Sequence, residues 1–140
     1  MHNLWAITLL GVIAMANTAA AGDAERGAQI FDDCRACHSV IDANGRTVVR
    51  GGRTGPNLHG VIGRHAGSVP GFHYSTSMVA AGRRGLRWNE EDFVVYVRDA
   101  TEFLRGYLDD PAARGKMAYK LPDAERARDV WAYPERIAAP

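Results

Sequence analysis

The stretch Cys34-Arg35-Ala36-Cys37-His38 contains both cysteines of the 140-residue chain and one of its five histidines. Two cysteines at this spacing are typical of a disulfide, a redox dithiol, half of a zinc site or a covalently attached haem. A structural zinc site needs about four ligands, and the chain has no second cysteine pair to complete one. A thioredoxin-like dithiol normally follows a strand, whereas the residues before Cys34 have the apolar periodicity of a helix.

The histidine directly after the second cysteine favours one of these alternatives. Cys-x-x-Cys-His is the attachment motif of c-type haem. Each thiol adds across one haem vinyl group to form a thioether, and the adjacent histidine reaches the iron on the proximal side. We therefore predict thioether bonds at Cys34 and Cys37 and an iron ligand at His38. The disulfide, dithiol and zinc alternatives stay open but are less favoured.

A second axial ligand is predicted from the methionines. Met1 and Met15 fall in an N-terminal segment treated below. Met78 lies among alanines in a predicted short helix, where core packing explains it. Met117 lies in a Gly-Lys-Met loop between two predicted helices, and a loop can bring a thioether to a pocket that helices frame. Met117 is the predicted distal ligand, which gives a high-potential haem with no open iron position.

The N-terminal segment has the features of an export signal. Leu4–Ala16 is uncharged, and Ala19 and Ala21 form an A-x-A cleavage pattern. The segment is too short for a comfortable membrane span. We predict a signal peptide over 1–21, a mature domain over 22–140 and a location in the bacterial periplasm. An uncleaved membrane anchor is the alternative.

Composition and charge narrow the class of protein. The chain is 46% hydrophobic and 24% charged, which is ordinary for one soluble globular domain. The formal net charge is +1 and the charges are interspersed, so no basic tract indicates a nucleic-acid partner. The 17 cationic side chains include only two lysines, Lys116 and Lys120, so any basic surface must be formed mainly by arginine.

Apolar periodicity and capping residues predict an all-α protein of about four to five helices with long loops. A first helix begins after Asp23 and runs into the cysteine motif. Residues 39–64 are rich in Gly, Asn, Arg and Thr, which is typical of a loop, with a short extended stretch at 46–50. The remaining predicted helices are 74–82 closed by Gly82, 88–104 capped by Asn89, and 122–133 stopped by Pro134.

The order of several motifs resembles a known family. The chain is similar to class I cytochrome c, specifically to the bacterial cytochrome c2 group with long loops. The resemblance covers essentially the whole mature chain and is highly specific when the motifs are taken together. The motifs are GDAERGAQIF, CRACH, TGPNLHGVIGR, GLRW, RGKMAYKL and a WAY near the C-terminus.

The resemblance implies roles for further residues around one covalent haem. The carbonyl of Pro56 would accept a hydrogen bond from the second ring nitrogen of His38, which fixes the ring. Tyr96 would lie close to the methionine sulfur. Buried haem propionates need hydrogen-bond donors, and the resemblance assigns this role to Arg64, Tyr74 and Trp88.

The resemblance also concerns the two terminal helices. They would cross closely at Gly27, Phe31 and Tyr133. The last helix of the family usually continues through the position of Pro134, so we expect this helix to end about a turn early.

The function implied is a periplasmic, soluble, monomeric electron carrier and not an enzyme. Electrons would pass from a cytochrome bc complex to a reaction centre, a terminal oxidase or a periplasmic reductase, in photosynthesis or respiration. Family members dock through a ring of lysines, which Arg35, Arg53 and Arg114 would partly replace here. The alternatives are a haem enzyme or ligand-binding sensor with a labile distal ligand, and a membrane-tethered carrier.

Overall fold

The computed structural model describes the backbone of residues 21–138 and the side chains as far as Pro134. Within this range the chain forms five helices and one short antiparallel hairpin, which confirms the predicted mostly helical fold. The elements are α1 (Ala24–Cys34), β1 (Val40–Ile41), β2 (Thr47–Val49), α2 (Thr76–Arg83), α3 (Glu90–Arg98), α4 (Ala100–Leu108) and α5 (Ala124–Ala138). Apart from Ala21, the predicted signal peptide lies outside the described residues. Among the described helices, none has the length and hydropathy needed to cross a bilayer.

Side-chain caps begin the first three helices. The Asp23 carboxylate accepts hydrogen bonds from the first-turn backbone N–H groups of α1, at 2.9 and 3.2 Å. Ser75 caps α2 through the N–H of Met78, and Asn89 caps α3 through the N–H of Asp92. Each cap satisfies backbone donors that have no partner within the helix. The predicted caps Asp23 and Asn89 are confirmed.

The first and last helices cross at close range. A Cβ placed on Gly27 would lie 1.9 Å from the carbonyl oxygen of Asp129, so a residue with a side chain would force the helices apart. Phe31 is buried at the same crossing, and its ring lies 5.2 Å from that of Tyr133. The predicted crossing is therefore confirmed.

A buried carboxylate links the start of α1 to α5. Asp129 is 2% exposed and accepts hydrogen bonds from the backbone N–H of Asp23 at 2.7 Å and from Nε of Arg26 at 2.9 Å. The Arg26 hydrogen bond and charge, together with the Asp23 N–H bond, lower the pKa of Asp129 despite its burial.

The helix predicted over 88–104 is two helices. At Asp99 the backbone turns extended, with φ −162° and ψ 103°, and its carboxylate caps α4 through the N–H groups of Thr101 and Glu102. The same carboxylate lies 2.6 Å from Nζ of Lys120. The cap and this distant cation favour a new helix start over continuation of α3.

Three other details differ from prediction. The helix α5 does not stop at Pro134 but continues to Ala138, so the early end was wrong. Proline removes one backbone donor, and here the packing of α5 on α1 and α3 outweighs that loss. The helix α2 extends one residue past Gly82. The extended stretch within 46–50 pairs with Val40 and Ile41 as a hairpin, a pairing that the sequence did not predict.

Candidate haem site

A cavity of about 350 Å³ lies between the two buried clusters of the core. Residues from α1, α2, α3 and α5 line it, together with the segments that follow α1, β2, α2 and α4, and its walls are mostly apolar. The structure brings all nine predicted site residues to this one cavity. They are Cys34, Cys37, His38, Pro56, Arg64, Tyr74, Trp88, Tyr96 and Met117.

The cysteine motif forms a turn at the end of α1. The backbone N–H groups of Cys37 and His38 both donate to the carbonyl of Cys34, at 3.1 and 2.9 Å. The two cysteines are not joined by a disulfide, and burial raises the pKa of the Cys34 thiol to about 11. Among residues 21–134 no three His, Cys, Asp or Glu side chains are grouped to hold a metal ion.

The imidazole of His38 is held in one orientation. Its Nδ1 lies 2.8 Å from the carbonyl oxygen of Pro56, so Nδ1–H donates and the lone pair stays on Nε2. Burial lowers the pKa of His38, which favours the neutral ring that can ligate a metal. Gly55 makes room for this ring, because a Cβ there would lie 2.4 Å from Cε1 of His38.

Met117 faces the cavity from the loop between α4 and α5. Backbone anchors lie on either side of it: the N–H of Gly115 donates to Thr101 Oγ1 at 3.0 Å, and the N–H of Leu121 donates to the carbonyl of Val97 at 2.7 Å. Met78 also lines the cavity, but it is buried within α2 as part of the core.

Both lysines of the chain are tethered beside Met117. The ammonium of Lys116 donates to the carbonyl of His73 at 2.7 Å. The ammonium of Lys120 donates to Asp99 Oδ2 at 2.6 Å. Each lysine therefore helps to hold this loop against a neighbouring part of the fold.

The cavity wall carries a half-buried cation without a carboxylate. The guanidinium of Arg64 donates to the carbonyls of His59 at 2.8 Å and Asn57 at 3.1 Å, and no carboxylate pairs with it within residues 21–134. Burial lowers the pKa of Arg64, which still leaves a cation at neutral pH. Tyr74 lines the same wall, and its hydroxyl accepts a bond from the N–H of Val69 at 3.3 Å. This wall suits an anionic group.

Two aromatic side chains close the inner part of the cavity. Trp88 is 9% exposed, and its ring lies 4.8 Å from that of Tyr96. Burial raises the pKa of Tyr96 to about 12, so the phenol is neutral. The inner wall is thus bulky and uncharged.

Two of the cavity residues that were not predicted from the sequence are joined to each other. Asp33 and Tyr119 both line the cavity, and the hydroxyl of Tyr119 donates to Asp33 Oδ2 at 3.2 Å. They are 86 positions apart, and the only sequence signal was their position next to Cys34 and near Met117.

The residues present fit a c-type haem. Two thiols lie one turn apart, an oriented neutral imidazole stands beside them, and a thioether lines the same cavity. Apolar walls suit the porphyrin, and the guanidinium of Arg64 suits its carboxylates.

Comparison with known proteins places the chain in a family. No protein-family model matches it. It is 48% identical over 130 residues to cytochrome c-551 of Roseobacter denitrificans, covering 90% of this chain and 91% of the relative. It is 46% identical over 119 residues to cytochrome c2 of Cereibacter sphaeroides, covering 84% of this chain and 96% of the relative. The crystal structure of cytochrome c2 from Rhodobacter sphaeroides superposes with a TM-score of 0.81 at 45% identity, covering 85% of this chain and 98% of that one. These similarities confirm the predicted fold, and the chain belongs to the cytochrome c2 family of class I c-type cytochromes.

Proposed function

We propose that this chain is a periplasmic single-electron carrier that holds one c-type haem covalently through Cys34 and Cys37, with His38 and Met117 as axial ligands. Membership of the cytochrome c2 family supports electron transfer and a haem c cofactor. The observation that carries the proposal is that both thiols, the oriented imidazole and the thioether line one cavity.

When bound, the haem supplies an iron that gains and loses one electron. The residues of this chain hold the surroundings constant during that change. Pro56 fixes the imidazole of His38 through its carbonyl, at 2.8 Å, and keeps it basic. Arg64 would donate hydrogen bonds to a haem propionate, and Tyr74 and Trp88 lie beside it. The apolar walls exclude water, which limits reorganisation around the iron.

The remaining parts of the proposal concern export and partners. Residues 1–21 would be an export signal and 22–140 the mature domain. Electrons would come from a cytochrome bc complex and go to a reaction centre, a terminal oxidase or a periplasmic reductase through transient docking of a monomer. This is the work of a carrier and not of an enzyme.

The test is the optical spectrum of the oxidised protein expressed in the periplasm. Methionine ligation gives a weak charge-transfer band in the far red, and we expect this band in the wild-type protein. Met117→Leu should abolish it with little change in volume. Met78→Leu is the matched control, because Met78 lines the same cavity, and it should keep the band.

Two outcomes would contradict the proposal. Loss of the band in Met78→Leu but not in Met117→Leu would identify Met78, and not Met117, as the distal ligand. Absence of the band in the wild-type protein, with haem still covalently attached, would favour a ligand-binding or enzymatic haem protein instead.

A further inference from the structure

The cavity opens to solvent at a defined mouth. Of the residues that line it, six have exposed side chains or backbone. We define the mouth by these six residues: Asp33, Cys37, Thr54, Lys116, Ala118 and Tyr119. Asp33 and Cys37 belong to the end of α1 and the cysteine motif on one side of the mouth, the Met117 loop forms another side, and Thr54 lies in the loop after β2.

A single hydrogen bond crosses from one side of the mouth to the other. The hydroxyl of Tyr119 donates to Oδ2 of Asp33 at 3.2 Å. Asp33 lies in the last turn of α1, directly before Cys34, and Tyr119 lies two residues after Met117. Tyr119 is 37% exposed, so most of its surface is in contact with the rest of the protein. The bond therefore joins the segment that carries Met117 to the helix that carries Cys34.

The segment around Met117 depends on side chains to stay in place. Between the backbone anchors at Gly115 and Leu121, residues 116–120 make no backbone–backbone hydrogen bonds to any part of the chain that the structure describes. Three side chains tether them instead. Lys116 reaches the carbonyl of His73, Lys120 reaches Asp99, and Tyr119 reaches Asp33.

The three tethers hold different sides of the segment. The two lysine tethers run to the loop before α2 and to the junction of α3 with α4. Only the Tyr119 tether, among these three, runs across the mouth toward the cysteine motif. Because Tyr119 bonds to Asp33 of α1, any movement of the Met117 segment away from α1 must break the Tyr119 tether.

We propose that the hydrogen bond between Tyr119 and Asp33 is a latch that keeps the Met117 segment closed over the cavity mouth. Tyr119 and Asp33 are thus positioning residues for the distal ligand, and small molecules reach the iron only after the latch has opened. This inference rests on the proposed ligation by Met117. The latch acts on the rate at which Met117 leaves, because its hydrogen bond must break before the segment can move away from α1.

The test is the rate of cyanide binding to the haem-loaded ferric protein at saturating cyanide. Under that condition the rate reports how often Met117 leaves. Tyr119→Phe keeps the ring and removes only the hydroxyl. We expect it to accelerate binding by roughly three- to tenfold, the effect of one hydrogen bond of ordinary strength. The far-red band should be retained, and the free energy of unfolding should fall by no more than the amount that corresponds to the rate change, which separates a latch from a wider structural role.

Three further variants make the test specific. Tyr107→Phe is the matched control, since Tyr107 does not line the cavity, and it should bind cyanide at the wild-type rate. Asp33→Ala should reproduce Tyr119→Phe, and Asp33→Asn should recover part of the wild-type rate, because an amide oxygen still accepts from the hydroxyl. The Tyr119→Phe/Asp33→Ala double variant should be no faster than either single variant.

Several results would overturn the latch. One is a wild-type cyanide rate in Tyr119→Phe, and another is independent addition of the Tyr119→Phe and Asp33→Ala effects. In Tyr119→Phe, a fall in the free energy of unfolding well beyond the amount that corresponds to the rate change would assign the hydroxyl a general structural role. A wild-type protein with no far-red band would instead contradict Met117 ligation itself, and the latch would fall with it.

Discussion

At the scale of single residues, glycines determine where neighbouring groups can approach the backbone closely. Gly55 leaves space for the ring of His38, which would otherwise meet a Cβ at 2.4 Å. Gly27 does the same for the backbone of α5. These glycines differ from Gly106 in α4, where no atom lies within 4 Å of the place that a Cβ would occupy. Gly27 and Gly106 both lie in helices, but only Gly27 is in close contact with another helix. We therefore expect alanine to destabilise the protein at position 27 and to stabilise it at position 106.

Gly27→Ala should destabilise the protein, since the new Cβ would lie 1.9 Å from the Asp129 carbonyl. Backbone cannot yield as a flexible side chain does, so we expect a loss of at least about 2 kcal/mol. Gly106→Ala is the control and should stabilise α4 by about 0.5 to 1 kcal/mol. Urea unfolding of both variants measures the difference. Equal effects of the two substitutions would contradict the close crossing of α1 and α5.

At the scale of elements, one buried carboxylate joins two helices that are far apart in sequence. Asp129 of α5 holds both the N-terminus of α1 and the side chain of Arg26. The pKa of Asp129 is lowered in the folded state. Stability from this link is therefore complete above the unfolded carboxyl pKa near 3.8 and is lost as the pH falls through the lower folded value.

Asp129→Asn should make the free energy of unfolding depend less steeply on pH in acid. The amide cannot take up the proton, so the fall in unfolding free energy below about pH 4 should be smaller than in the wild-type protein. Part of the slope should remain, because the pKa values of Asp42 and Asp99 are also lowered. Glu91→Gln, at an exposed position, is the control and should leave the slope unchanged. Urea midpoints from about pH 6 to about pH 2 test this. An unchanged slope in Asp129→Asn would contradict the assignment.

The sequence predicts well those structural features that depend on residues close together in the chain. Asp23 and Asn89 cap helices through donors two or three residues away, and both caps were predicted. Asp99 was not, because the apolar pattern of 88–104 runs through it and its partner Lys120 comes 21 residues later. The local cost of Pro134 predicts an early helix end, whereas the packing of α5 on α1 decides the length of that helix.

The residues of the site likewise divide into those that local sequence predicts and those that only distant contacts bring together. The spacing within the cysteine motif is local chemistry, so Cys34, Cys37 and His38 could be identified from residues alone. The resemblance to a family added Pro56 and the four wall residues, which the structure places around the same cavity. The bond between Tyr119 and Asp33 joins residues 86 positions apart, and no local pattern predicts such a contact.

At the scale of the whole molecule, the charges are numerous but nearly balanced. The formal net charge is +1 from 17 cationic and 16 anionic side chains. Arg35 lies 2.8 Å from Asp32, and Arg46 lies 3.1 Å from Asp42. Long-range attraction of a redox partner must therefore come from a local patch and not from the total charge.

Electron exchange with a small anionic oxidant such as ferricyanide should slow as salt rises, since screening weakens any local basic patch. Arg53 is exposed and adjacent to Thr54 of the mouth, so Arg53→Gln should lower the low-salt rate by about twofold. Arg46→Gln is the control, because Arg46 does not line the cavity and is paired with Asp42. Stopped-flow rates over a salt series measure both effects. A salt-independent rate that is equal in all three proteins would argue against electrostatic docking.

The two tethered lysines determine how partners of this protein can be mapped. Covalent cross-linking of docked complexes usually relies on reagents that attack free amines. Here the side-chain amines number two, on Lys116 and Lys120, and each must leave an acceptor 2.7 or 2.6 Å away before it can react. A negative cross-linking experiment with such reagents would say nothing about docking. Reagents directed at carboxyl groups would sample the surface more fully, because the chain has 16 acidic side chains, and Asp32 and Asp33 among them are exposed beside the cysteine motif.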